Sequence, residues 1–383
     1  MGQTDFAQAL LIWNGIFTND ANTDTLAFIL DHKSDLALFL INLLEPAKLY
    51  DTALGSPTSQ NTHASYRRYN ELDLTKARNR HAVICQLQRL AVSLSRILLM
   101  GKNGQSLEQL PMNTELRSDF DDDNRISLIP STLSVTAPAS WWARSTSYGE
   151  KWLFVNGIGG EYFWLQLYCE KLRDTYRRNI LGVFNRSDGI LWDLVECAGE
   201  RDINGRQTLI RRTESSRAAQ RTLERELSAA LQNRESDGFI VMIAYSQGCL
   251  LLRHVLQEFA REDSHREAMA NRLRVFTFGN PSVDWMGTDA QGISAPLCER
   301  VNYTEHFANG QDFVAKLGVL RTNQEEALRN AGYIHERSSV FINHARDWVG
   351  HLFGTQYSLR VEDYEDGGHS KLLACAGGRA MRR

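Results

Sequence analysis

The run Phe239–Gly248, FIVMIAYSQG, constrains the fold more than any other stretch of this chain. Phe239 to Tyr245 is continuously apolar and rich in β-formers, and Asp237 and Gly238 stop whatever precedes it. A run of this kind suits a central strand buried on both faces, as in a parallel sheet. The period then changes at once, because Leu252, Val255, Leu256 and Phe259 recur at helical spacing. Between the two patterns lies Tyr245-Ser246-Gln247-Gly248. A serine on a tight strand-to-helix turn stands clear of the sheet and faces the unpaired N–H groups of the helix N-terminus. That arrangement suits a nucleophile. The plainer reading of Ser246 is a helix N-cap with no chemistry.

Further elements follow from the same kind of argument. Trp152–Val155 is a short buried strand followed by Asn156-Gly157-Ile158-Gly159-Gly160 and an amphipathic helix to about Arg178. Asn179–Phe184, Leu273–Phe278 and Arg300–Thr304 are further strands. Helical patterns fall around Ile190–Ala198 and along Arg211–Arg234, where Leu223, Leu227 and Leu231 share a face of a surface helix. Strands alternating with helices predict β-α-β units and an α/β fold with a mostly parallel central sheet and helices on both faces. The catalytic domain is expected over 141–383.

Upstream, 1–140 reads as a helical N-terminal extension and linker that covers the site in one arrangement. Leu26–Leu44 and His81–Met100 are its helices; Leu87, Leu90, Leu94, Ile97 and Leu98 form the core-facing stripe of the second, with Gln86 and Arg89 elsewhere. Leu54–Arg80 reads as a polar loop, and Gly101–Ser140 as the join, with room for a short strand within Ile126–Val135. The acidic run Asp121–Asp123 and the stretch Asp363–Asp366 with the terminal arginines Arg379, Arg382 and Arg383 read as solvated.

Composition narrows the function classes. The chain has 383 residues, 43% hydrophobic and 23% charged, enough for a large core. A formal net charge of −3 implies no nucleic-acid partner. Cys85, Cys169, Cys197, Cys249, Cys298 and Cys375 are scattered without a CxxC pair, which fits free thiols and no metal site. The N-terminus lacks a basic signal-peptide region, and no apolar stretch is long enough to span a bilayer. The expectation is a cytoplasmic protein. Membrane or lipid contact through Leu26–Leu44 is left open without being indicated, as is the oligomeric state.

A serine nucleophile needs a base, and the base an orienting acid, gathered at the carboxyl ends of parallel strands. Asp312, in Asn309-Gly310-Gln311-Asp312, is the candidate acid, with Asp284 as its rival; either also suits a helix cap. His351, beside Gly350 and downstream of the acid, is the candidate base, ahead of His344 and His306. The oxyanion donors are expected to be the backbone N–H groups of Gln247 and Ile158, with Gly157 permitting the turn. Asn156, Gly157, Tyr245 and Asn185 are the candidate lining, with Asp188 and Asp193 bordering the same cleft or capping turns. A phosphate cradle at 156–160 is disfavoured, because neither G-x-G-x-x-G nor a following Lys-Ser/Thr is present. Cys249 reads as a buried, inert thiol.

These segments together, WLFVNGIGG, AYSQG, VFTFGNP, NGQDFV and VGHLFGTQY, resemble the α/β-hydrolase superfamily from about 150 to 357, and within it lipase-like serine hydrolases and fungal hydrolase-like proteins. The resemblance implies the α/β-hydrolase fold, a Ser246–Asp312–His351 triad, oxyanion donors at Ile158 and Gln247, and no cofactor. The implied partner is a small-molecule acyl substrate, and the implied activity is cleavage of a carboxylic ester, lactone or thioester through an acyl-enzyme. The alternative is a non-hydrolytic binding protein or biosynthetic cyclase on the same fold. Two departures stand out: Asn156 where many relatives have His-Gly, and Ala244 in place of the first elbow glycine.

Overall fold

The computed structural model describes residues 68–103, 130–142, 149–187, 189–190, 193, 197, 214–233, 238–282, 285–320, 340–344 and 350–381, with backbone alone for 91–103 and Trp142. The protein is an α/β structure built on a seven-stranded sheet. Its strands are β1 (Thr132–Val135), β2 (Lys151–Val155), β3 (Ile180–Val183), β4 (Ile240–Tyr245), β5 (Leu273–Phe278), β8 (Tyr303–Asn309) and β9 (Val340–Asn343), in the spatial order β1-β3-β2-β4-β5-β8-β9. Every pairing is parallel except β1 with β3. A small separate ribbon pairs β6 (Met286–Thr288) with β7 (Ser294–Pro296), and the short helices α2 (Ala139–Trp142), α6 (Asp263–Arg272) and α7 (Leu297–Arg300) join the strands on the way.

The period of two along β4 shows why the sheet is central. Val241, Ile243 and Tyr245 enter one core with Trp152 and Phe154, while Ile240, Met242 and Ala244 enter the other with Leu153 and Val155. The first core is closed by α3 (Tyr162–Tyr176), and the second by α4 (Glu214–Gln232) and α5 (Gln247–Arg261). An unbroken apolar sequence is what burial on both faces requires. The chain leaves β2 towards β3, on one side, and leaves β4 towards β5, on the other. The carboxyl ends of β2 and β4 therefore flank the point where the winding reverses, where open α/β sheets form a crevice.

Three expectations need correction. First, β1 hydrogen-bonds to β3, so the sheet begins upstream of residue 141. The boundary at 140/141 separates β1 from its partner. Second, α1 (Ala77–Asn103) does not bury Leu87. Leu87 is 42% exposed and Ile84 51%, whereas Arg89 is 2% exposed and Gln86 is also buried. Both buried groups donate to the Glu161 carboxylate, Arg89 Nη1 at 2.6 Å and Gln86 Nε2 at 2.7 Å. An ion pair on the inner side turns Leu87 outward. Leu94, Ile97 and Leu98 have no described side chains. Third, the segment after Tyr357 is not a wholly solvated tail: Glu365, Asp366 and Arg379 are exposed as expected, but apolar residues among them pack on the sheet. Tyr364, Leu372, Leu373, Cys375 and Met381 are buried, and Arg178 donates to the carbonyls of Gly378 and Arg379. Leu26–Leu44, Asp121–Asp123, Arg382 and Arg383 lie outside the described residues.

Among the described residues, no helix is long and apolar enough to cross a membrane.

Removing one member of a buried ion pair strands the other in a low dielectric. Arg89→Ala is therefore expected to lower unfolding free energy by about 3–5 kcal/mol. Arg89→Leu with Glu161→Leu should recover most of that loss, and urea denaturation of the single and double variants checks it.

Candidate active site

Ser246 follows β4 directly and occupies the N-cap position of α5, yet its side chain makes no capping bond. Its backbone lies at φ 57°, ψ −127°, a region rare for residues with a Cβ. Ser246 N–H donates to Phe278 O at 2.8 Å, and Ser246 O accepts from Cys249 N–H at 2.8 Å, so both flanks of the turn are tied down. The hydroxyl is left to face His351, with Oγ 2.7 Å from Nε2.

His351 and Asp312 complete a linear chain. Nδ1 of His351 lies 2.7 Å from Asp312 Oδ2. Asp312 also caps α8 (Phe313–Leu317), but with its other oxygen, Oδ1, which accepts from Val314 N–H at 2.8 Å. The capping and orienting roles weighed for this aspartate are therefore both present, on different atoms. With Nδ1 donating to the carboxylate, Nε2 is the acceptor that can take the serine proton. Ser246, His351 and Asp312 are all buried, so this chain operates away from bulk water.

The two rival histidines take no part. His306 is buried with Nδ1 2.6 Å from Thr277 Oγ1, and burial pulls its pKa down to about 3. His344 is exposed and lies 3.1 Å from Glu365. Asp284 and Asp188 lie outside the described residues. Cys249 points back at Ala244 O, 3.4 Å away, and burial pushes its thiol well above the ordinary range.

The loop after β2 is pressed against the turn. A Cβ on Gly157 would lie 2.3 Å from Ser246 Cβ and 2.9 Å from its Oγ, so only glycine lets the two backbones approach. Gly248 is constrained likewise, since a Cβ there would meet Asn156 O at 2.7 Å and Val155 O at 2.8 Å. This contact brings the Asn156–Ile158 backbone beside Ser246, next to the helix end where Gln247 contributes the first N–H.

Asn156 and Asn185, expected as lining, are ties between loops. Asn156 Nδ2 donates to Asn185 O at 2.8 Å, and its Oδ1 accepts from Asn185 N–H at 2.8 Å. Asn185 Nδ2 donates to Gln247 Oε1 at 2.7 Å, joining the loops after β2 and β3 to the start of α5. Asp193 accepts from Gly159 N–H at 2.7 Å and Ser187 Oγ at 2.5 Å, so it braces the same loop from below. Ile158, Tyr245 and His351 do line a cleft. The rest of its wall is largely apolar and includes Val83, Leu87 and Leu90 of α1 together with Trp164 and Leu352.

Two contacts escaped the sequence reading. Tyr357 donates its hydroxyl to Asp312 Oδ2, and Tyr245 donates its own to the His351 carbonyl. Burial, and then the Asp312 charge, keeps the Tyr357 phenol protonated and able to donate. The motif VGHLFGTQY contained Tyr357, but no spacing rule links a tyrosine six residues after a histidine to that histidine's acid.

No protein-family model and no curated protein matches this chain. What the fold and site define is an α/β protein with a mostly parallel seven-stranded sheet and a buried Ser–His–Asp hydrogen-bonded chain at the reversal of its winding.

Gly279 tests how tightly this chain is packed. It has φ +58°, and a Cβ there would meet Tyr357 Oη at 2.8 Å, Asp312 Oδ2 at 2.9 Å and His351 Cε1 at 3.0 Å. Gly279→Ala is expected to cost about 1–3 kcal/mol from backbone strain and overpacking, read by guanidinium denaturation. A second expectation concerns acid. Folded His306, at about 3, binds a proton far less readily than the unfolded ring at 6.5. The unfolded state therefore holds more protons below pH 6.5, and stability contributed by this group falls as pH drops, by about 1.4 kcal/mol per unit. His306→Gln should flatten the decline between about pH 6.5 and about pH 4.5, measured by denaturation midpoints.

Proposed function

We propose that the protein is a serine hydrolase of the α/β-hydrolase type, cleaving an ester or thioester with a substantial apolar portion. The observation that carries this reading is the 2.7 Å approach of His351 to both Ser246 Oγ and Asp312 Oδ2. The strained Ser246 turn at the end of β4 and the apolar cleft beside it add support.

In this mechanism the Ser246 oxygen attacks the acyl carbon while its proton passes to His351 Nε2. Asp312, held by Tyr357 and Val314 N–H, keeps the ring in the productive tautomer and balances the charge it acquires. Negative charge develops on the former carbonyl oxygen beside the Ile158 and Gln247 backbones, whose N–H groups stabilise it in a dry site. His351 returns the proton to the leaving alcohol or thiol. Water, activated by the same ring, then releases the acid and restores Ser246. The largely apolar wall favours hydrocarbon on the substrate, since few groups there can pair with a charged one.

A fluorophosphonate probe tests this directly. Wild-type protein is expected to be labelled, Ser246→Ala not at all, and His351→Ala and Asp312→Asn far more slowly. With an ester substrate, Asp312→Asn should lower kcat by a factor on the order of 10⁴. Folded wild type that resists both probe and esters would favour the non-hydrolytic binding protein, a reading that gains from Ser246 being fully buried.

A further inference from the structure

His351 begins a short loop that ends at Tyr357, and both residues touch Asp312. The position of the imidazole therefore depends on how firmly this loop is held. Part of the grip is local. Leu352 O accepts from Gln356 N–H at 2.8 Å and Tyr357 N–H at 2.9 Å, and Asn309 Nδ2 donates to Gly350 O at 2.9 Å and Gln356 O at 3.0 Å.

The remainder comes from two distant, fully buried charged groups. Lys171, on α3, donates from Nζ to Phe353 O and Tyr357 O, both at 2.6 Å. Glu71, from the segment just before α1, accepts from Gly354 N–H at 2.5 Å and from Thr355 Oγ1 at 3.4 Å. The two charges attract each other across the loop, and burial works against both, raising Glu71 and lowering Lys171. The Glu71 segment is itself fixed to α3, because Tyr69 donates to Asp174 and Arg68 Nη1 lies 3.2 Å from the same carboxylate. The fit is close: a Cβ on Gly354 would come within 2.0 Å of Tyr69 O and 2.6 Å of Glu71 Cδ.

Burying two ionisable side chains is a poor device for stability, since well-packed apolar residues serve as well or better. What this pair supplies is directed hydrogen bonds to backbone groups that no apolar side chain can make. We propose that Glu71 and Lys171 are positioning residues that set the imidazole of His351 by clamping its loop, so that the segment around 68–72 is a working part of the site. The proposal rests on the reading of His351 as the base.

Two readouts separate it from that reading. The first is kinetic: Glu71→Ala and Lys171→Met are expected to lower kcat about 10²-fold, the cost of a base misplaced by roughly 1 Å, with KM nearly unchanged. Glu71→Gln, whose amide oxygen still accepts from Gly354 N–H, should restore much of the activity. The second needs no turnover: in histidine ¹⁵N-labelled protein, the ring nitrogen shifts of His351, assigned with His351→Ala, should move in Glu71→Ala and Lys171→Met and return towards wild type in Glu71→Gln. Circular dichroism verifies that each variant is folded. If the alanine and methionine variants do not fold, Glu71→Gln carries the test through a smaller loss in kcat and a smaller shift. A folded variant set with wild-type kcat and unmoved His351 shifts would overturn the clamp. Shifts that move in a protein without hydrolytic activity would support the clamp and reject the hydrolase.

Discussion

The backbone of Ser246, at φ 57° and ψ −127°, is the constraint on which the site depends. A residue with a Cβ rests there only when its surroundings over-determine it, at a cost of about 1–3 kcal/mol. Here the surroundings are the parallel register of β4 against β2 and β5, the bond from Ser246 N–H to Phe278 O, and the close approach that Gly157, after β2, and Gly248, in α5, allow between the two turns. In exchange, the hydroxyl is released from helix capping and turned to His351. The same geometry lays the loop after β2 alongside, at the reversal of the sheet's winding, where two loops diverge and leave a crevice.

From that point outward the molecule is a set of supports for one hydrogen-bonded line. Asp312 has one oxygen committed to α8 and the other to His351 and Tyr357, so its carboxylate cannot rotate without breaking a bond. Tyr245 reaches from the strand that carries the serine to the carbonyl of the histidine. On the far side, Asn156, Asn185 and Asp193 tie together the loops after β2 and β3. Preorganisation of this kind lets backbone N–H groups act on a developing charge without first rearranging.

The sequence was most informative where a chemical requirement is local. The change from an apolar run to a helical period marked β4 and α5, and the order of Ser246, Asp312 and His351 followed from strand ends and loops. It was least informative where a side chain meets a distant partner. A helical stripe of leucines normally faces a core, and nothing near α1 shows that Glu161, some seventy residues on, draws Arg89 and Gln86 inward instead. Glu71 lies in what reads as a polar loop, and Lys171 in what reads as the polar side of a helix. Their shared target, the loop from His351 to Tyr357, comes from the other end of the chain. Asn156 and Asn185, read as lining, serve instead as ties, because amide side chains with both donor and acceptor capacity join two loops better than they line an apolar wall.

The central claim is that Ser246 forms a covalent acyl intermediate. Rapid mixing of the protein with excess chromogenic ester, followed by quenching and mass analysis of the peptide that contains Ser246, measures this most directly. The account predicts an initial burst of leaving group approaching one equivalent per protein and an acyl group on Ser246. A folded protein that releases no burst and carries no acyl group there, or carries it on another residue, would contradict it.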